Sequence, residues 1–383
     1  MAPRMSPEKI TEFIAELAGD DIHAMRVWSL ANGVIGVVHS ATLGIASIGA
    51  GLAAAQGLRK KHSTKQVDRL LSNEKFPDMK LFERWVPYII AEREEIVVAL
   101  DWTEFAKDKH ATISLYLVSN HGRATPLIWK THDTRTLKDS RNDYEDELLK
   151  EFIKLLPDDV HVTVLADRGF GDQNFYTFIK EELGMEYAIR FKGNIMITDS
   201  HGEMRPAREW LHPSGRAKKM NEVRVTAEQT EVPAVLLVHA KKMKDPWFIA
   251  TSRSDLTASQ ITKLYGRRFT IEETFRDIKD HRFGMGLSMT SIKDPGRRDR
   301  LLFLAAMSHV LFTMLGMASE RSGYDRYLKT NTSKKRTHSL FNLGRMVYTM
   351  LPTMREDDLK PLMKAFGEIL TETQLTKEVF GVL

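Results

Sequence analysis

The sequence predicts an α/β protein: a sheet core flanked by helical regions at both ends. Three observations carry this. The first 94 residues have helical apolar spacing, the stretch from residue 95 alternates short β-branched runs with helices, and the chain beyond residue 296 is again helical. At 383 residues the chain exceeds a single domain of roughly 100–150 residues, so several units are expected.

Composition narrows the chemistry. The chain is 42% hydrophobic and 28% charged, as in ordinary globular proteins, and its net charge of +5 is too small to specify a partner. With no cysteine, disulfides, thiolate zinc sites and cysteine nucleophiles are excluded together. A metal would need carboxylates or histidines. Residues 1–21 show no apolar secretory segment. Val27 to Leu58 contains no charged residue, but polar residues and five glycines between Gly33 and Gly51 interrupt it. A helical subdomain is expected there rather than a membrane span, and a cytoplasmic location follows from these expectations.

Taken in order, Pro7 to Leu17 and Asp21 to Val38 read as helices. Ser40-Ala41-Thr42 offers a helix-start hydroxyl, and Leu43 to Leu58 reads as two short helices broken near Gly49 and Gly51. A basic helix capped by Ser63 or Thr64 follows, carrying Lys60, Lys61, Lys65 and Arg69. That is the form of a DNA-docking module, or of a solvated basic surface; the segment alone leaves both open.

In the central region, Glu95 to Asp101 is an apolar strand ending in an acid. Ala111 to Val118 and Ala124 to Lys130 follow as strands, with Asn120-His121-Gly122 as the turn between them. Asn142 to Leu156 is a helix, and His161 to Asp167 is a second strand ending in an acid. Gly169 and Gly171 lead into a helix from Asp172 to Leu183, and Met185 to Phe191 is a further strand. Two acids at strand ends point to a site there. Residues 193–252 are β-rich and interrupt the pattern, and a long helix begins at Ala258.

On a continuous helix from Ile261 to Asp280, Tyr265, Arg268, Glu272 and Lys279 fall in a stripe about 60° wide, with Arg276 nearby. Leu264, Ile271, Phe275 and Ile278 form the adjacent apolar stripe that docks the helix. Arg268 and Glu272 alone are an ordinary i,i+4 pair. Together with Asp101 and Asp167, Glu272 supplies hard oxygen ligands suited to Mg²⁺ or Mn²⁺, and the flanking cations suit phosphate. The set describes phosphoryl transfer on a polynucleotide.

At these residues the sequence resembles a family of bacterial insertion-sequence transposases with a Y-R-E-K signature. Tyr265-x2-Arg268-x3-Glu272-x6-Lys279 matches it without a gap, and Asp101 and Asp167 stand in Val-Ala-Leu-Asp-Trp-Thr and Leu-Ala-Asp-Arg-Gly-Phe. The resemblance implies a cut-and-paste DDE enzyme with a ribonuclease-H-like core. Asp101, Asp167 and Glu272 are then its catalytic triad, holding two Mg²⁺ (or Mn²⁺) ions. It implies a helical DNA-binding domain over 1–94, the core over 95–192 and 253–295, a β-rich insertion over 193–252, and a helical C-terminal region over 296–383. Transposon-end and target DNA are the implied partners, with a hairpin intermediate, a homodimer in the synaptic complex and no membrane. The location implied is the bacterial cytoplasm, at the nucleoid.

The resemblance also implies that Tyr265, Arg268 and Lys279 grip DNA near the cleaved end and that Trp247 stacks on a flipped base. The plain alternative for Trp247 is a core tryptophan on a strand. Arg168, Arg276, Lys334, Lys335 and Arg336 are further candidate DNA contacts, with a solvated basic face as the plain alternative. A structure-specific nuclease and a non-catalytic DNA-binding relative are the other functional readings.

Overall fold

The computed structural model describes residues 5–137, 140–330, 332–333 and 335–372. The chain opens with α1 (Pro7–Ala18), α2 (Ala24–Ser40), α3 (Ile45–Gln56), α4 (Lys60–Leu71) and α5 (Asp78–Ile90). The first strands are β1 (Glu95–Phe105), β2 (His110–Val118) and β3 (Ala124–Asp133). They are followed by α6 (Arg141–Lys154), β4 (His161–Ala166), α7 (Gln173–Thr177) and β5 (Glu186–Arg190). Next come β6 (Met196–Thr198), β7 (Met204–Pro206), β8 (Lys218–Val225), β9 (Thr230–Val238) and β10 (Trp247–Thr251). The last helices are α8 (Ala258–Gly266), α9 (Thr270–Lys279), α10 (Pro295–Ser322), α11 (Leu340–Met350) and α12 (Glu356–Thr371).

The ten strands among the described residues form one sheet, in the order β3-β2-β1-β4-β5-β10-β9-β8-β6-β7. β1, β4 and β5 are parallel neighbours, and the other pairings are antiparallel. The β-rich interruption expected over 193–252 is therefore continuous with the central sheet, because β10 returns to pair with β5 through Ile249↔Arg190 and Ala250↔Ile189. Alternation along β1 sends Ile96, Val98 and Leu100 into the main core, and Val97 and Ala99 into a smaller core beneath α8 and α9.

Three local expectations in the N-terminal region are corrected. The segment read as two helices broken at Gly49 and Gly51 is one helix, α3. A Cβ at Gly49 would collide with Thr64, and one at Gly51 with the Gly36 carbonyl, so these glycines admit neighbouring helices rather than break their own. α3 starts behind Gly44 without a side-chain cap, so the Ser40–Thr42 hydroxyls do not start it. α4 begins a turn earlier than expected, and Ser63 lies buried inside it, donating to the Arg59 carbonyl.

Among the described residues, α10 is the one helix long and apolar enough by composition to cross a membrane; 94% of that apolar window is buried inside the fold. α2 and α3 together also pass on composition, but they are bent by 94° at their junction. Met307 and Met314 on α10 are fully buried packing residues.

Candidate active site

The site sits at the carboxyl ends of the parallel strands, where a sheet of this kind leaves a crevice. The β1–β4 register runs to Leu100↔Ala166, so Asp101 and Asp167 emerge side by side. β1 itself does not end at Asp101 but continues to Phe105, paired with β2. Asp101 is thus held by an antiparallel neighbour, and its Oδ1 accepts from the Trp102 N–H at 2.8 Å. Asp167 is held by a turn in which the Gly169 N–H donates to its Oδ1 at 2.7 Å. A Cβ on Gly171 would lie 2.9 Å from the Arg190 carbonyl oxygen, so that turn requires glycine.

Glu272 reaches the site through Arg268. The guanidinium donates to Asp101 Oδ2 at 3.2 Å and to Glu272 Oε1 at 2.9 Å. Its side chain is only 8% exposed, against 19% for Asp101 and 51% for Glu272. Burial pushes the Asp101 carboxyl up to about 6; Arg268 pulls it down, while Asp167 and Glu272 push it further up. Burial works against the charge on Arg268, but Tyr265 and the three carboxylates outweigh it and raise its value.

The continuous helix expected from Ile261 to Asp280 is interrupted. Arg267–Phe269 form a 3₁₀ turn between α8 and α9, and this tighter winding breaks the single stripe. Tyr265 is 1% exposed, its hydroxyl pushed up to about 12 by burial, and its ring lies edge-on to Trp247 at 5.1 Å. In this arrangement Tyr265 supports Arg268 from beneath; expected as a DNA contact, it is instead part of the core. Lys279, about two turns beyond Glu272 on α9, lies over the rings of Phe105 and Phe275 at 5.1 and 6.0 Å, and burial lowers its value despite Asp101. The turn also directs Phe269 outward. Phe269 is 36% exposed, stacks on Trp247 at 5.7 Å and carries the Arg268 guanidinium over its face at 5.1 Å.

The other expected contacts are scattered. Arg168 is exposed beside Asp167, and Arg276 is exposed but paired with Glu273 at 3.0 Å. Lys60, Lys61, Lys65 and Arg69 are exposed along α4. A groove of about 950 Å³ there is lined by Arg26, Trp28, His62, Lys65 and Arg69. Lys335 is exposed, whereas Arg336 is taken up by both oxygens of Glu320 at 2.6 Å. Lys334 lies outside the described residues. Two features escaped the sequence reading: Phe269, which reads as one more apolar helix residue, and Glu145, a buried carboxyl bonded to Trp102 at 2.7 Å. No sequence signal marked Glu145, because α6 is rich in acids.

By donor chemistry the three carboxylates fit a hard divalent cation. Among the described residues, however, no three His, Asp or Glu side chains lie at metal-holding spacing. Arg268 bonds two of the three acids, Asp101 and Glu272.

A family model described as a transposase DDE domain matches residues 92–311, a span that holds every strand of the sheet and all three acids. The chain belongs to this family. It is a DDE transposase, an enzyme acting on DNA, of a class that generally uses divalent metals and whose substrate is transposon-end DNA. The match leaves α1–α5, the last part of α10 and the helices after it outside. No curated protein matches the chain.

Proposed function

We propose that this transposase excises a mobile element at its inverted-repeat ends through Asp101, Asp167 and Glu272, by way of a hairpin, and inserts it into target DNA. The observation that carries the reading is the Arg268 bridge, which ties Glu272 to Asp101 at the carboxyl end of β1, beside Asp167. Two Mg²⁺ or Mn²⁺ ions held by these acids would activate the attacking oxygen and stabilise the leaving one.

The remaining steps belong to the chain's own side chains. Arg268, drawn off the acids by a stronger partner, offers a planar fork to a phosphate, and Lys279 adds a point charge at the same edge. Trp247 and Phe269 form an aromatic shelf beside Arg268. A base extruded during hairpin closure stacks on that shelf. The exposed cations of α4 hold the end DNA farther from the cut, and Arg168, Arg276 and Lys335 add weaker backbone contacts. The core is of the ribonuclease-H-like type with the Y-R-E-K signature, 193–252 its β-rich insertion, and the helical regions before and after it serve binding and dimerisation. The protein works as a homodimer that pairs two ends, in the cytoplasm at the nucleoid.

The test is a denaturing-gel cleavage assay on DNA carrying the flanking inverted repeats, with wild type and Glu272→Gln, with Mg²⁺ and with chelator. Nicks and hairpin-sized products from wild type with Mg²⁺ alone are expected, while end binding survives the substitution. Specific binding without cleavage by folded wild type would overturn the catalytic assignment.

A further inference from the structure

Glu272 is the least anchored of the three acids. Its side chain is 51% exposed, and the partner that holds it, Arg268, belongs to the turn just before its own helix. Its place opposite Asp101 is therefore set by how α9 sits on the sheet. On a helix, Thr274 lies about 160° around from Glu272, and Asp277 about 140°. Both are buried, at 0% and 3% exposure, and neither takes part in the chemistry assigned above.

Thr274 meets the edge strand of the sheet. Its hydroxyl accepts from the Ala124 N–H at 2.8 Å and lies 2.8 Å from the Ala124 carbonyl, to which it donates. Ala124 opens β3, whose outer side has no further strand among the described residues, and one side chain thus satisfies both of its outward backbone groups. One residue earlier in the chain, Arg123 donates to Asp277 through Nε at 2.6 Å and Nη2 at 3.3 Å. His309 of α10 approaches the same carboxylate at 3.6 Å. The Asp277 carbonyl then accepts from the Met285 N–H at 2.8 Å, fixing the exit of the helix. Two consecutive residues at the start of β3 thus hold α9 at two points one turn apart.

We propose that Thr274 and Asp277, acting through Ala124 and Arg123, are positioning residues that set the rotation of α9 and hence the placement of the Glu272 carboxylate. The proposal rests on the assignment of Glu272 given above. A carboxylate about 5–6 Å from the helix axis moves about 1 Å for a rotation of about 10°. A misplacement of that size costs on the order of 100-fold in rate. The clamp acts together with the buried Ile271 and Ile278 of α9 and with Arg268, which ties Glu272 to Asp101 of β1.

The experiment compares Thr274→Val, which keeps the shape and loses the hydroxyl, with Thr274→Ser, which keeps the hydroxyl. Arg123→Gln is the milder second variant, since Arg123 is 15% exposed and its loss leaves Thr274 in place. Three readings are taken on full-length protein: single-turnover nicking, end-DNA affinity, and amide hydrogen exchange. Thr274→Val is expected to slow nicking on the order of 100-fold at unchanged end affinity, with faster exchange confined to residues 270–279. Thr274→Ser is expected to restore both readings, and Arg123→Gln to show the same pattern more weakly. Exchange that quickens equally across β1 and β4, or nicking that falls in step with affinity, would overturn the proposal by showing general destabilisation. Unchanged α9 protection in both Thr274→Val and Arg123→Gln would overturn it whether or not wild type cuts DNA. Wild type that binds ends and does not cut, with the local change in α9 still seen in Thr274→Val, would instead remove the assignment of Glu272 and keep the clamp.

Discussion

Replacing Glu145 with glutamine should stabilise the protein, and by an amount that depends on pH. Glu145 lies on α6 at 6% exposure, and its Oε1 accepts from the Trp102 indole at 2.7 Å. Burial pushes its carboxyl up from 4.5 to about 7; the Trp102 bond and Arg141 pull it down, while Asp146 and Asp167 push it further up. The folded state therefore binds more protons than the unfolded one between these two values, and stability falls as pH rises through that window. A tenfold change in proton affinity is worth about 1.4 kcal/mol, so at a pH above about 7 the ionised carboxylate costs the fold about 3 kcal/mol. Glutamine keeps the acceptor for Trp102 and carries no charge.

Urea unfolding of wild type and Glu145→Gln in chelator, at about pH 5 and about pH 8, measures this directly. At the lower pH the two should agree within about 1 kcal/mol, because the wild-type carboxyl is mostly protonated when folded. At the higher pH the variant should be more stable by up to about 3 kcal/mol. A variant destabilised equally at both values would refute the reasoning, since it would show a hydrogen-bond geometry that an amide cannot reproduce rather than a buried charge.

Three further outcomes follow from the same contacts. Gly344 and Gly316 bring α11 and α10 together so closely that a Cβ on Gly344 would collide with the Phe312 carbonyl; Gly344→Ala should cost about 1–3 kcal/mol or more in thermal or urea unfolding. Lys65→Ala, in the groove beside Trp28, should weaken end binding and flatten the slope of log affinity against log salt by about 0.9, as read by titration at several salt concentrations. Trp247→Ala should leave the first nick intact and reduce hairpin product on the order of 10-fold, the loss expected when one stacking face is removed, as read on a denaturing gel.

Much of the site was legible because its chemistry is local in sequence. Asp101 and Asp167 each end an apolar β-branched run, and the parallel register places such ends together. Arg268 and Glu272 are four residues apart, and the bond between them survives the change in winding. The helical wheel failed at Tyr265, because nothing in Gly-Arg-Arg-Phe announces a 3₁₀ turn; the phenol before it is buried and Phe269 within it is exposed. The glycines of α3 misled for a related reason. Propensity reads them as breaks, but the close approach of α2 and α4 decides. The Thr274–Ala124 and Asp277–Arg123 contacts join positions about 150 residues apart, and no periodicity reaches that far.

Arg268 offers the complementary test, with a pH dependence of the opposite consequence. It is the one cation bonded to both Asp101 and Glu272 among the described residues. Asp101 titrates at about 6 in its presence, raised from 3.8 by burial and lowered again by the guanidinium. Folded-state protonation therefore exceeds that of the unfolded chain from about 4 upward, and stability contributed by Asp101 falls with rising pH across that window. Arg268→Ala removes the group that lowers the Asp101 value and leaves Asp167 and Glu272 to raise it, so the window extends above 6. The deficit of the variant should be small at about pH 5, where Asp101 is protonated, and larger at about pH 8. There the ionised carboxylate is buried without its bonded cation, a situation that costs about 3–5 kcal/mol when one member of a buried pair is deleted. Unfolding in chelator reads this without reference to catalysis. A deficit of equal size at both pH values would mean that Arg268 stabilises the fold through its packing on Phe269, and that the two acids tolerate each other without it.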